Sequence, residues 1–225
     1  MKNFIQFFFL ILLTNPISAD DLKTQLDRDI QGVMTKVTDW RHHFHQYPEL
    51  SNREYKTQES IVEALTEMGL EPNTEFGITG VTAFIRGQNP GPLIALRADI
   101  DGLPVTEKLN LSFSSKVKTT YQGNEVGVMH ACGHDAHIAV LLGVASFLSR
   151  NTDKLNGDIL LIFQPAEEGA PEGEEGGAEL MLKEGLFEIE KPDAIFGLHV
   201  SNFKNGQIWT KPGPIMASSE AFRIT

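Results

Sequence analysis

A layered α/β fold, with a sheet covered by helices on both faces, is predicted by two features of this 225-residue sequence. Stretches with apolar residues every three or four positions alternate with short apolar runs of strand length. One of those runs, Ile159-Leu160-Leu161-Ile162-Phe163, is apolar without a break, as a strand buried on both faces must be. The length suits one large domain or two small ones with a substantial core. A hydrophobic content of 41% with 22% charged residues excludes a disordered or collagen-like chain.

Residues 1–19 stand outside the predicted fold. Lys2 supplies a short positive start, residues 4–13 are apolar apart from Gln6, Asn15 and Pro16 break the run, and Ile17-Ser18-Ala19 is a small-residue cleavage pattern. This reads as a secretory signal peptide. The run falls short of the ~20 apolar residues of a membrane span. The expectation is an exported protein, periplasmic or secreted, with no stable membrane insertion after cleavage. An uncleaved N-terminal anchor is the alternative.

The first helix is predicted over 20–47, where Leu22, Leu26, Ile30, Val33, Val37 and Trp40 form one stripe and Pro48 ends it. A second spans 54–68, with Ile61, Leu65 and Met68 on one face and Gly69 as its stop. Residues 81–85 and 93–96 read as strands, and the short link through Gly87, Pro90 and Gly91 predicts that they are neighbours. A helix follows at 134–148, a strand at 159–163, a short helix at 178–183 and a strand at 194–200. A further strand is expected to begin at 207–210. Residues 221–225 read as the middle of another, so the chain is expected to be a fragment of something longer.

Lysine and arginine total 19 against 30 aspartates and glutamates, a formal charge of −11. That balance argues against nucleic acid or anionic membrane as the main partner. A single cysteine allows no intramolecular disulfide, and in an exported protein a lone thiol needs a reason to be there.

That cysteine lies in His130-Ala131-Cys132-Gly133-His134-Asp135-Ala136-His137, where thiol and imidazoles crowd together. Thiolate and imidazole suit zinc and similar ions. The Cys-x-His spacing places both side chains on one side if the segment is extended. Asp135 could cap a helix or fix an imidazole tautomer. Glu167 and Glu168 follow the 159–163 strand, where one carboxylate can bind metal and the other move a proton, or both can be ordinary surface residues. His199 lies at the end of the 194–200 run, after Ile195-Phe196-Gly197-Leu198, as ligand or core histidine. Asp99 and Asp101 share a side by the period-two rule, for metal work or for turn chemistry.

Four segments together resemble the M20 metallopeptidase family: Ala95-Leu96-Arg97-Ala98-Asp99-Ile100-Asp101-Gly102-Leu103-Pro104, residues 130–137, Gln164-Pro165-Ala166-Glu167-Glu168-Gly169, and Gly197-Leu198-His199. The branch resembled is that of the hippurate, N-acyl-amino-acid and indole-acetyl-amino-acid amidohydrolases, and residues 40–51 are similar to its N-terminal signature. The resemblance implies a three-layer α/β/α sandwich around a mixed, largely parallel sheet. It implies two divalent ions, zinc or manganese first and cobalt or nickel next, held by Cys132, His134, Glu168 and His199. Asp99, Asp101 and Asp135 would support these ligands. Glu167 would be the general base for hydrolysis by a metal-bound water of the amide bond in an N-acyl or N-aroyl amino acid. A dipeptidase or exopeptidase with the same centre is the alternative, as is an inactive fragment. Arg97 stands where other M20 branches have a histidine ligand. On this pattern residues 20–225 are the first part of a catalytic domain. A lid and dimerisation domain and a last histidine ligand would lie beyond it, and the full-length form would be a homodimer.

Overall fold

The computed structural model describes residues 19–188 and 190–216. Residues 1–18 of the expected signal peptide and the strand expected at 221–225 lie outside the described residues.

Three helices and a four-stranded sheet carry most of the core. Helix α1 spans Ala19–Gln46 and α2 spans Tyr55–Glu67. Strands β1 (Val81–Ile85) and β2 (Asn89–Asp99) follow, then a hairpin of β3 (Lys118–Tyr121) and β4 (Asn124–Gly127). Helix α3 spans His134–Leu148, β5 Asn156–Gln164, α4 Gly177–Lys183 and β6 Ala194–Gly197. The bounds of β1 and α3 are those predicted, because local apolar periodicity fixes them.

The sheet order is β1-β5-β2-β6. Strand β1 runs antiparallel to β5, while β5–β2 and β2–β6 are parallel. The sheet is therefore mixed and largely parallel. β1 and β2, expected to be neighbours, are separated by β5. Its unbroken apolar run needs cover on both faces and both edges, so it takes the interior position between them.

The faces divide by alternation. Val81, Ala83, Ile85, Ala98, Leu161 and Phe163 pack with Phe44, Ile61, Leu65, Ile138 and Leu142 of α1, α2 and α3. Ala95, Leu160 and Ile162 pack on the opposite face with Met181 and Leu186, in and just after α4. Each fully buried Val, Leu, Ile, Phe or Met side chain contributes roughly 1.5–3 kcal/mol. α1 lies close on α3: a Cβ at Gly143 would meet Val37 Cγ2 at 2.5 Å.

The β3–β4 hairpin was not legible in the sequence. Its strands are short and polar, and its turn rests on Gln122 and Gly123, with φ of 50° and 78°. The strand expected at 207–210 does not form. Ile208 and Trp209 are exposed, and among the described residues no strand lies beside them.

Candidate metal centre

Registers bring the carboxyl ends of three strands together. Asp99 of β2 lies opposite Gln164 of β5, and Arg97 lies opposite Gly197 of β6. The residues that follow these strands converge there with the first turn of α3, as expected for an open sheet.

Cys132-Gly133-His134 is a turn rather than the expected extended segment. Gly133 has φ +88° and stands at the N-terminus of α3, and a Cβ there would lie 2.2 Å from Val200 Cγ2. The left-handed residue, not strand alternation, brings Cys132 and His134 to one place.

His134 is the centre of the arrangement. Its Nδ1 lies 2.8 Å from the Asp101 carbonyl oxygen. A carbonyl can only accept, so Nδ1 carries a proton, and the neutral form of the ring has its lone pair on Nε2. That Nε2 is buried without a hydrogen-bond partner. It faces Asp99 Oδ1 at 3.6 Å, Glu167 Oε2 at 3.7 Å and Glu168 Oε1 at 3.8 Å. The Asp101 carbonyl also accepts from His130 Nδ1 at 3.1 Å. The Asp101 side chain accepts from Ser51 Oγ at 2.8 Å and from the Glu168 amide at 3.0 Å.

His199 donates from Nδ1 to the Val200 carbonyl at 2.7 Å, which leaves Nε2 3.5 Å from Cys132 Sγ. Among the described residues, three groups have ligand atoms within 4.8 Å of one another: Cys132, His134 and His199; His134, Glu167 and Glu168; and Asp99, His134 and His137. His134 belongs to all three. His137 has no lone pair to give, because Nδ1 donates to Asp99 Oδ1 at 2.6 Å and Nε2 accepts the Val200 amide at 2.8 Å. It instead ties β2 to the backbone beside His199. Sequence reasoning left it without a role, although its place one helical turn after His134 was a usable signal.

The electrostatics are those of an anion-rich pocket. Burial alone would raise the Asp99 carboxyl, but the His137 hydrogen bond and the Arg97 charge hold it at about 2. Burial opposes charging of His134, yet its contact with Asp101 and the charge of Asp99 move it up. Glu167 is raised by burial and by Asp99. Cys132 is pushed up to about 12 by burial and by Glu168.

Asp135 is turned away from this cluster. Its Oδ2 takes hydrogen bonds from Arg41 Nε at 3.3 Å and His45 Nδ1 at 2.9 Å, both on α1. His45 Nε2 in turn lies 3.3 Å from Glu107 Oε1. The cap role also passes to Gly133. The side chain after His134 points to the other side of the helix, so Asp135 fixes the imidazole of His45 rather than that of His134.

The model of peptidase family M20/M25/M40 matches residues 95–215, which contain all three candidate ligand groups. The chain belongs to this family. Among curated relatives of this M20 chain, thermostable carboxypeptidase 1 of Saccharolobus solfataricus is 44% identical over 91% of the chain and 49% of its own length. The N-acyl-L-amino acid amidohydrolase of Geobacillus stearothermophilus is 39% identical over 90% of the chain and 51% of its own length. Among solved structures, a dinuclear metal-binding M20 peptidase of Bacillus subtilis superposes with a TM-score of 0.66 and 40% identity, covering 76% of this chain and 44% of that one. The chain thus spans about half the length of the M20 relatives it matches.

Proposed function

We propose that the complete protein is a metal-dependent hydrolase that cleaves the amide bond of N-acyl or N-aroyl amino acids. The observation that carries this reading is the buried, unpartnered Nε2 of His134 facing three carboxylates. A neutral imidazole lone pair, carboxylates and a thiol within reach of one another make a donor set suited to divalent ions. A cation would also reverse the field that now keeps the Cys132 thiol protonated.

Cys132, His134, Glu168 and His199 would hold the metal. When bound, the ions would supply Lewis acidity toward the substrate carbonyl and lower the pKa of water. Glu167 carries the proton. It is the more open of the two glutamates, and its raised pKa suits a group that takes a proton from the attacking water and returns it to the leaving amine. Asp101 orients His134 through its carbonyl, and Arg97 holds Asp99 ionised from 2.6 Å.

The amidohydrolase relative supports an acyl-amino acid substrate, and the carboxypeptidase relative supports a second reading as a peptidase with the same centre. Assay of the complete protein against N-acetyl and N-benzoyl amino acids and against dipeptides, with and without chelator, separates the two. Acyl amino acids should turn over faster, and chelation should stop both. Chelator-resistant turnover would sink the metal reading.

Export is proposed on the pattern of residues 1–19. Among the described residues, no helix is long and apolar enough to cross a membrane. N-terminal sequencing of the protein from the cell envelope or medium should find a start near Asp20, and intact Met1 in the cytosol would refute export.

A further inference from the structure

Glu54 immediately precedes α2 and is completely buried. Its carboxylate caps no amide of that helix. One oxygen accepts the Thr79 hydroxyl at 2.5 Å and the other accepts the Ala166 amide at 2.9 Å. Burying an anion is costly, and burial pushes this carboxyl up to about 7. The chemistry proposed above makes no use of it.

What Glu54 holds is a strained turn. Ala166 has φ +49°, a left-handed conformation that a residue with a Cβ adopts only when its surroundings enforce it. The next residue is Glu167. On its far side, the Glu168 amide is held by the Asp101 carboxylate, which Ser51 in turn supports. Glu167 therefore sits between two amides, each anchored on a buried carboxylate, and both anchors lead back to residues 51–54. We propose that Glu54 is a positioning residue: by accepting the Ala166 amide, it holds the turn that aims Glu167 at His134. The proposal rests on Glu167 being the proton carrier.

The test uses the complete protein with Glu54→Met, which fills similar volume without an acceptor, Glu54→Asp, which is one methylene too short, and Glu54→Gln. Hydrogen–deuterium exchange of a peptide covering 164–168 is read beside kcat, KM and bound metal. Met and Asp should speed that exchange by about tenfold or more and lower kcat by about 10–100-fold, with KM and bound metal within about twofold. Gln should keep protection and most turnover, because its carbonyl accepts the Ala166 amide and its NH2 donates to Thr79. Unchanged exchange in a folded Met or Asp variant would overturn the proposal. So would turnover that falls only with lost metal, or a Gln variant as impaired as Met. If neither Met nor Asp folds while Gln does, Glu54 serves stability and the proposal fails. Glu167→Gln is the separate control: full turnover there would remove the base, while the exchange data would still decide whether Glu54 holds the turn.

Discussion

Glu167 and Glu168 are adjacent, yet their surroundings give them different work. The Glu168 amide is fixed by Asp101, and its carboxylate is the less exposed of the two. Glu167→Gln should keep bound metal and lower kcat by about 10²-fold or more, the scale of a lost general base. Glu168→Gln should lose metal first and recover part of its activity with excess metal, since weakened affinity yields to mass action. Loss of metal from the Glu167 variant with retention in the Glu168 variant would reverse the assignment. Glu54 permits a second test. Its pKa rises from an ordinary 4.5 to about 7 on folding, so the folded state holds a proton that the unfolded state releases between those values. Its contribution is fully present below pH 4.5 and is lost as pH rises through 7. Urea unfolding should show the advantage of wild type over Glu54→Gln shrinking from pH 5 to pH 8 by up to about 3 kcal/mol. A pH-independent difference would show that Glu54 does not titrate in this window. The chemical identities of Cys132, His134 and the glutamate pair were legible in sequence because ligand types cluster there. The bracing of Glu54 was not, because its partners Thr79 and Ala166 are distant in the chain.

At the level of elements, α3 carries the site. Its first turn places His134 toward the carboxylates and His137 between Asp99 and the Val200 amide. His137→Leu removes both hydrogen bonds and leaves the buried Asp99 Oδ1 and the part-buried Val200 amide unpaired. The expected cost is roughly 1–3 kcal/mol per unpaired group, with metal affinity lower by about 10–100-fold because the chain at His199 is no longer tied down. Calorimetric unfolding and a metal titration read the two effects, and unchanged metal affinity in a folded variant would detach His137 from the site. Helix positions were readable because the 3.6-residue period is local. Strand order was not, since β5 enters between β1 and β2 by pairing across more than sixty residues, which no short-range pattern encodes. The β3–β4 hairpin escaped notice because its strands lack an apolar alternation.

At the level of the molecule, the site joins segments that lie far apart in the chain. His134 belongs to α3, Glu168 to the loop after β5 and His199 to the loop after β6, where the neighbouring Leu198, Val200 and Phe203 are exposed. A ligand that bridges these segments binds the folded chain and not the unfolded one. It therefore stabilises by mass action, by about 2.7 kcal/mol at a free concentration a hundred times its dissociation constant. For a chain of this size that corresponds to a rise in Tm of roughly 5–10 °C. Zinc or manganese titrated into the chelator-treated 225-residue chain should raise Tm with concentration. Removal of His134, which belongs to all three ligand groups, should abolish the shift, and Glu168→Gln should move it to higher metal concentration. Glu167→Gln should leave it nearly intact, because a proton carrier adds nothing to metal retention. The hydrogen-exchange counterpart is protection concentrated at 132–137, 164–168 and 197–200, with the β3–β4 hairpin unchanged. A metal-dependent rise in Tm that survives His134→Ala would place the bound ion elsewhere on this acidic surface and would separate the thermal effect from the candidate centre.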